Sequence, residues 1–417
     1  VRSRAEYTES FASSFFPSAA SRPQDNGSLS LAATSMLGLG GTVIADPNAR
    51  SSSLDIVADR LAVIVDGTIG PAGFVSLGAQ ELSNFAAGSV LLGGARTRND
   101  NEIDVDILAQ EVVLADNVSL SGNEFIITAT DNILLNTGAS ITSIGDSGAN
   151  TTQILSIDGD GAVLATSTSP LAVRRTGAVG ATGSITTSVG SLLSASGQVL
   201  LDVSFEADIQ GQIASVGGDV RIGAPQISVG DIPGGTPGTL LPFAALTQLA
   251  DANVIFRSDT TFDLFGAGEI NFRGLSIDAS SITGNLAAGE VFEITTETFE
   301  ISNSGSPTVS TVGSGQLLIS TDRATVGSGV NVFDSFESVT INSQQGVNWQ
   351  TQASLETAQN LNINTAGFSA AESGATLSIV AGNEITIAGG IGAYVPANAM
   401  ALGSALDLRG AAINLDT

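Results

Sequence analysis

The sequence predicts an all-β fold, a right-handed parallel β-helix (β-solenoid) with coils of about 21 residues. Three observations predict it: short dyads of alternating apolar residues recur along the chain, glycine and small polar residues separate them, and the composition suits a narrow, repetitive core. Of 417 residues 49 are Gly; hydrophobic residues make up 42%, aromatics 5% and charged residues 13%. A globular core of this size would carry more rings and a more charged surface. A repeat array has no such size limit, because each unit packs only on its neighbours.

Taken from the N-terminus, residues 1–29 break the pattern. Tyr7, Phe11, Phe15 and Phe16 are followed by Pro17 and Pro23, and read as an arm or short helix. From residue 30 to 417 the reading is one continuous solenoid, expected to continue beyond 417. Ile127 and Ala129 lead to Ile133 and Leu135; Val254 and Phe256 lead to Phe262 and Leu264. Phe292 and Ile294 lead to Phe299 and Ile301, Leu377 and Ile379 to Ile385 and Ile387, and Leu406 and Leu408 to Ile413 and Leu415. Period-two alternation means a strand with one buried face. The Gly, Asn and Asp between dyads mark corners where φ turns positive. Two excursions are expected. Residues 166–190 read as a loop or irregular coil around Arg174 and Arg175. Residues 230–250 read as a Pro/Gly turn followed by a helical turn, Leu240 to Leu249, on the side of the rod. Shifting the chain by about 85 residues lays Val254 and Phe256 on Val339 and Ile341, and Phe292 and Ile294 on Leu377 and Ile379, which suggests blocks of four coils.

Two stretches resemble the repeats of filamentous-haemagglutinin-like bacterial exoproteins, a family of secreted parallel β-helix adhesins. They are Leu377-Ser-Ile-Val-Ala-Gly-Asn-Glu-Ile-Thr-Ile-Ala-Gly-Gly390 and Phe125-Ile-Ile-Thr-Ala-Thr-Asp-Asn-Ile-Leu-Leu-Asn-Thr-Gly-Ala-Ser-Ile-Thr142; the C-terminal end, Leu406 to Leu415, is similar. The resemblance covers much of 50–165 and 199–417 and lies in composition and period. It implies a rod secreted or held at the bacterial cell surface that acts in adhesion or in contact with other cells. Its partners would be protein or glycan on other cells, or copies of itself. Surface-layer, sheath or filament subunits, and polysaccharide-active β-helix enzymes, are the alternative classes.

Charge and missing residue types narrow the chemistry. Asp and Glu total 41 against 14 basic residues, all Arg, for a net charge of −27. Such a surface repels nucleic acid and anionic lipid, so neither nucleic-acid binding nor membrane insertion is expected. With no His and no Cys, the usual ligands of zinc, haem and iron–sulfur sites are missing, as are the base and thiol of the common nucleophilic triads. No catalytic residues are therefore assigned, and the chain is read as a non-enzyme.

The residual candidates are acidic. Asp158-Gly159-Asp160-Gly161 is similar to short calcium-binding loops, but reads more simply as a tight turn in which the two glycines supply positive φ. Asp104 and Asp106 alternate with Ile103, Val105 and Ile107, so in a strand both carboxylates point outward. They could gather calcium or flank a glycosidic bond, and more simply form a solvated face. Calcium is the only cofactor these four residues suggest. Arg174–Arg175, or Arg96 with Arg98, would form local surface ion pairs. Trp349, Phe262 and Phe272 read as core rings.

Overall fold

The computed structural model describes residues 27–42, 52–99, 102–145, 151–215, 218–390, 392–397 and 401–416. The predicted arm over 1–29 lies outside these residues apart from its last three, where the strand Ser28–Ala32 begins. Among the described residues the chain is all-β with two short helices, Ala79–Phe85 and Phe243–Thr247. Its strands form a sixteen-stranded sheet (the long sheet), a fourteen-stranded second sheet, and two four-stranded sheets, the third sheet and the side sheet. Most pairings are parallel, and the path is compatible with a β-solenoid.

From Glu111 to Ser215 the circuits visit three faces. Glu111–Leu114 lies in the second sheet, Ser119–Gly122 in the third and Glu124–Ala129 in the long sheet; Asn132–Leu135 and Ser140–Ser143 then return to the second and third. Where no insertion intervenes, stacked partners are 20 to 22 residues apart, as for Val112 and Ile133, Ile185 and Ala207, or Leu193 and Ile213; across insertions the spacing rises to 35 for Val90 and Phe125 and to 52 for Ile133 and Ile185. The dyads that predicted strands do face inward: Ile127, Ala129, Ile133 and Leu135 have no exposed surface. Each such aliphatic side chain contributes about 1.5–3 kcal/mol through burial, except the smaller Ala.

The stack here is not uniformly parallel, which corrects the expectation of an uninterrupted parallel helix. Ala162–Ser167 sits in the long sheet antiparallel to both Glu124–Ala129 and Gln198–Val203. Residues 166–190 are accordingly no irregular coil. They include the end of that strand, then Leu171–Thr176 in the side sheet, and Ser184–Thr187, which rejoins the second sheet on Asn132–Leu135. The side sheet runs Leu171–Thr176, Gln153–Asp158, Glu102–Ile107, Gly94–Asn99, the last two forming an antiparallel hairpin. It covers the outer surface of the long sheet. Leu91, Ile126, Val163 and Leu200 from the long sheet, with Ile103, Leu155 and Ile157 from the side sheet, belong to a second hydrophobic core.

In the C-terminal half two of the three faces fuse. Gly268–Asp278, Val291–Ser302, Gln316–Val326 and Ser338–Trp349 are strands of 11 or 12 residues, each carrying two inward dyads. The second dyads continue the column from Val254 through Leu275, Phe299 and Ala324 to Val347. The first dyads open a column of their own, Ile270, Ile294, Ile319, Ile341, Ile363, Ile387 and Leu415, at intervals of 22 to 28 residues. This corrects the 85-residue register. Val254 belongs to the second-dyad column, whereas Val339 belongs to a first dyad; Phe292 is in the long sheet, whereas Leu377 is in the second.

Between the two dyads the strand bends, and a hydroxyl fills the corner. The Thr321 hydroxyl lies 3.0 Å from the carbonyl of Arg323 and 3.1 Å from that of Glu297 in the preceding circuit. Thr296 stands likewise to Thr298 and Arg273, and Ser343 to Gly346 and Asp322. Thr365 donates to Gly367. Buried carbonyls left open by the bend thus find a donor. The helix Phe243–Thr247 falls within the expected 240–249 segment. It packs where the third sheet gives way to the first dyads: Gln248 accepts from the Ile213 N–H at 3.0 Å, and the Phe243 ring stacks on Phe292 at 5.6 Å. Phe243 lies so close over Gly268 that a Cβ there would approach it to 2.2 Å.

Candidate functional site

A groove of about 1020 Å³ lies on the outer surface of the first-dyad face. Side chains that alternate with the isoleucine column point out into it. Asn271, Thr295, Ser320, Asn342 and Asn364 stack in register on successive strands. They form a row of hydroxyls and amides at the strand spacing of about 4.8 Å. The Asn364 amide donates to the Asn342 carbonyl oxygen at 2.8 Å, which fixes both amide orientations. All five side chains keep part of their surface in solvent.

The bend supplies the groove's charged edge. Two consecutive residues face outward there, so Arg273, Glu297 and Asp322 stack beside the hydroxyl-filled corner. Arg273 is engaged, donating to Asn253 at 3.0 Å. Asp251 adds a third carboxylate at one end, and Gly389–Gly390 leave the other end without side chains. The segment 392–397 crosses next to the groove. The Tyr394 hydroxyl donates to the Phe368 carbonyl at 2.8 Å, its ring lies against Gly346 and Gly367, and the residue is 43% exposed.

The four acidic residues singled out in the sequence lie elsewhere, on the side sheet and its turn. Asp104 is on Glu102–Ile107, opposite Ser156 of Gln153–Asp158, and accepts from the Asn99 amide at 2.9 Å. Asp104 and Asp106 face solvent while Ile103 and Val105 are buried. Asp158 accepts from the Thr176 hydroxyl at 3.1 Å. Asp160 accepts the backbone N–H groups of Val179, Gly180 and Ala181 at 2.7, 2.9 and 3.0 Å. What burial it has works against its charge, yet these donors outweigh that and hold the carboxyl below the usual range. Gly159 and Gly161 have φ of +82° and +148°, values a turn can use and an L side chain resists. Asp160 thus clamps the 179–181 loop with both oxygens. Among the described residues no group of three or more His, Cys, Asp or Glu side chains is placed to hold a metal.

Two of the arginines, Arg96 and Arg175, anchor the side sheet to the long sheet. Arg174 pairs with Glu102 at the surface. Arg175, expected at the surface, is 3% exposed and pairs at 2.7 Å with Asp202, itself 4% exposed. Arg257 reaches the other oxygen of Asp202 at 2.9 Å. At the opposite margin of the side sheet, Arg96 donates to Asp55 at 2.6 Å and to Ser89 at 2.5 Å. Phe262, Phe272 and Trp349 are buried in the main core. Reading the sequence missed the groove, because its row is assembled from residues 22 to 25 apart in circuits of unequal length. It also missed the corner hydroxyls. Their signal is a Ser or Thr in inward phase closing an apolar dyad, at 296, 321, 343 and 365.

Among the described residues no helix is long and apolar enough to cross a membrane. No family model, no curated protein and no solved structure matches the chain.

Proposed function

We propose that the chain is a right-handed β-helix of the filamentous-haemagglutinin-like kind, secreted or displayed on a bacterial cell, that works as an adhesive rod. Handedness follows from strand twist, since parallel strands joined across a crossover are right-handed in about 98% of cases. The observation that carries the adhesive reading is the groove with its in-register row of exposed amides and hydroxyls. A stack of parallel strands repeats the same side-chain chemistry along its length, and a repeated surface suits a repetitive partner. Glycan or protein on another cell is that partner. The acidic exterior disfavours nucleic acid and anionic lipid. The test is attachment: fluorescent particles coated with the purified chain should adhere to cells well above particles coated with an acidic protein of matched charge. Equal attachment would refute the adhesive reading, and a compact particle in small-angle scattering would refute the rod.

One observation favours a second reading, a polysaccharide-cleaving β-helix. Glu297 and Asp322 lie on neighbouring strands at the same level of the groove, and retaining glycosidases place two carboxyl groups about 5–5.5 Å apart. Release of reducing ends from a soluble polysaccharide, abolished by Glu297→Gln, would establish that reading.

A further inference from the structure

We propose that the groove binds a linear, uncharged polysaccharide laid along the direction in which the strands stack. This rests on the adhesive reading and names its ligand class. The row Asn271, Thr295, Ser320, Asn342, Asn364 crosses five strands, so a ligand lying along it meets one neutral hydroxyl or amide per strand. Each of these groups both donates and accepts, which matches the hydroxyls of a sugar. A pyranose unit is about as long as the strand spacing of about 4.8 Å, so a sugar chain stays in step with the row over several units. An extended peptide does not. It rises about 3.3 Å per residue, turns side chains to one face only every second residue, and has its backbone groups best satisfied by a strand edge.

Charge selects within the polysaccharides. Asp251, Glu297 and Asp322 edge the groove against the single, already engaged Arg273. On a chain of net charge −27 that edge repels uronate and sulfate polymers. Tyr394, whose ring packs on Gly346 and Gly367 on the segment beside the groove, is 43% exposed and adds an aromatic surface of the kind on which sugar rings stack. Gly389–Gly390 line one end of the groove without side chains.

Affinity electrophoresis and titration calorimetry on the whole chain test this, using soluble β-glucan, xylan, mannan and N-acetylglucosamine oligomers, with polygalacturonate as the charged comparator. At least one neutral polymer should retard the protein, with little dependence on salt, and polygalacturonate should not. Asn342→Leu/Asn364→Leu should weaken binding at least tenfold. Asn271→Trp, at an exposed position, should do the same by obstruction, while Thr325→Leu, outward but beyond the groove, should not. Melting temperatures should stay within those of the wild type. Retardation by none of the neutral polymers, retardation by polygalacturonate alone, or undiminished binding in both groove variants would overturn the proposal. So would release of shorter fragments, which would assign the groove to cleavage. The cell-attachment assay separates the two failures. If the wild type does not attach, the adhesive reading falls; if wild type and both groove variants attach equally, adhesion stands and the groove is not its site.

Discussion

The two halves of the molecule solve one problem in opposite ways. In the N-terminal half the outer surface of the long sheet is apolar, with Leu91, Ile126, Val163 and Leu200 facing away from the main core. A second sheet covers it, and buried ion pairs, Arg96 with Asp55 and Arg175 with Asp202, hold that cover at its margins. In the C-terminal half the outer surface is polar and stays open as a groove. Its bends are filled by the buried neutral hydroxyls of Thr296, Thr321, Ser343 and Thr365, above a core enriched in Phe256, Phe262, Phe292, Phe299 and Phe333. Where a strand has both faces apolar, cover is compulsory; where it alternates, the outer face is free to meet a ligand. The halves should accordingly differ in how they fail when a buried polar group is removed.

The largest effect is expected at the ion-pair clamp. Asp202→Ala leaves Arg175 almost fully buried without its carboxylate, and loss of one partner of a buried pair costs about 3–5 kcal/mol. Hydrogen exchange should rise first in 153–158 and 171–176, while 291–302 stays protected. Arg175 and Asp202 replaced together by Met and Leu should recover most of the loss, since the apolar pair removes the buried arginine with its carboxylate and Arg257 keeps Asp259 as a partner at 2.9 Å. A uniform loss of protection along the whole chain would show that the side sheet is not a separately held cover.

A smaller effect is expected at the bend. Thr321→Val keeps shape but removes the donor to the Arg323 and Glu297 carbonyls, at a cost of about 1–3 kcal/mol. Thr321→Ser should be close to neutral. Equal melting temperatures for wild type and Thr321→Val would mean that water satisfies the corner instead, and the contrast between neutral and ionic burial would weaken.

Much of this contrast can be traced in the sequence, and the parts that cannot have physical causes. The dyads 127/129, 133/135 and 377/379 are read correctly because alternation directly reports one dry face. Gln198-Val-Leu-Leu-Asp-Val203 is buried at all six positions. Its near-continuous apolar run signals a strand covered on both sides, yet period-two reasoning alone assigns it only one. The hairpin between Gly94–Asn99 and Glu102–Ile107 has its own signal in Asn99-Asp-Asn-Glu102, a two-residue connection of turn-forming types. The 85-residue register fails because each bent strand carries two inward dyads of the same residue class, so a shift that joins a first dyad to a second scores as well as the true one. Buried partners such as Arg175 and Asp202 lie 27 residues apart, and no local pattern links them.

The smallest effect is one of sign, and it also divides the halves. Asp160, in the N-terminal half, has its carboxyl lowered by the backbone N–H groups that outweigh its burial. Its contribution is present above the ordinary carboxylate range and is lost as pH falls through its lowered value. Asp263 and Glu300, in the C-terminal half, are raised instead. Burial is the main cause for both, opposed at Asp263 by the hydrogen bond from Gln226 and reinforced at Glu300 by Asp278. A raised acid binds more protons folded than unfolded. Its relative stabilisation is therefore full below the ordinary range and is lost as pH rises through the raised value. Asp263→Asn removes the charge; its side-chain oxygen can still accept from Gln226, now 2.6 Å from Asp263. It should melt higher than the wild type at neutral pH and alike at pH 3. Asp160→Asn should melt lower at neutral pH, with the difference vanishing in strong acid. Both variants shifting in the same direction at neutral pH would break the comparison, because the carboxylates of the two halves would then be held by the same force.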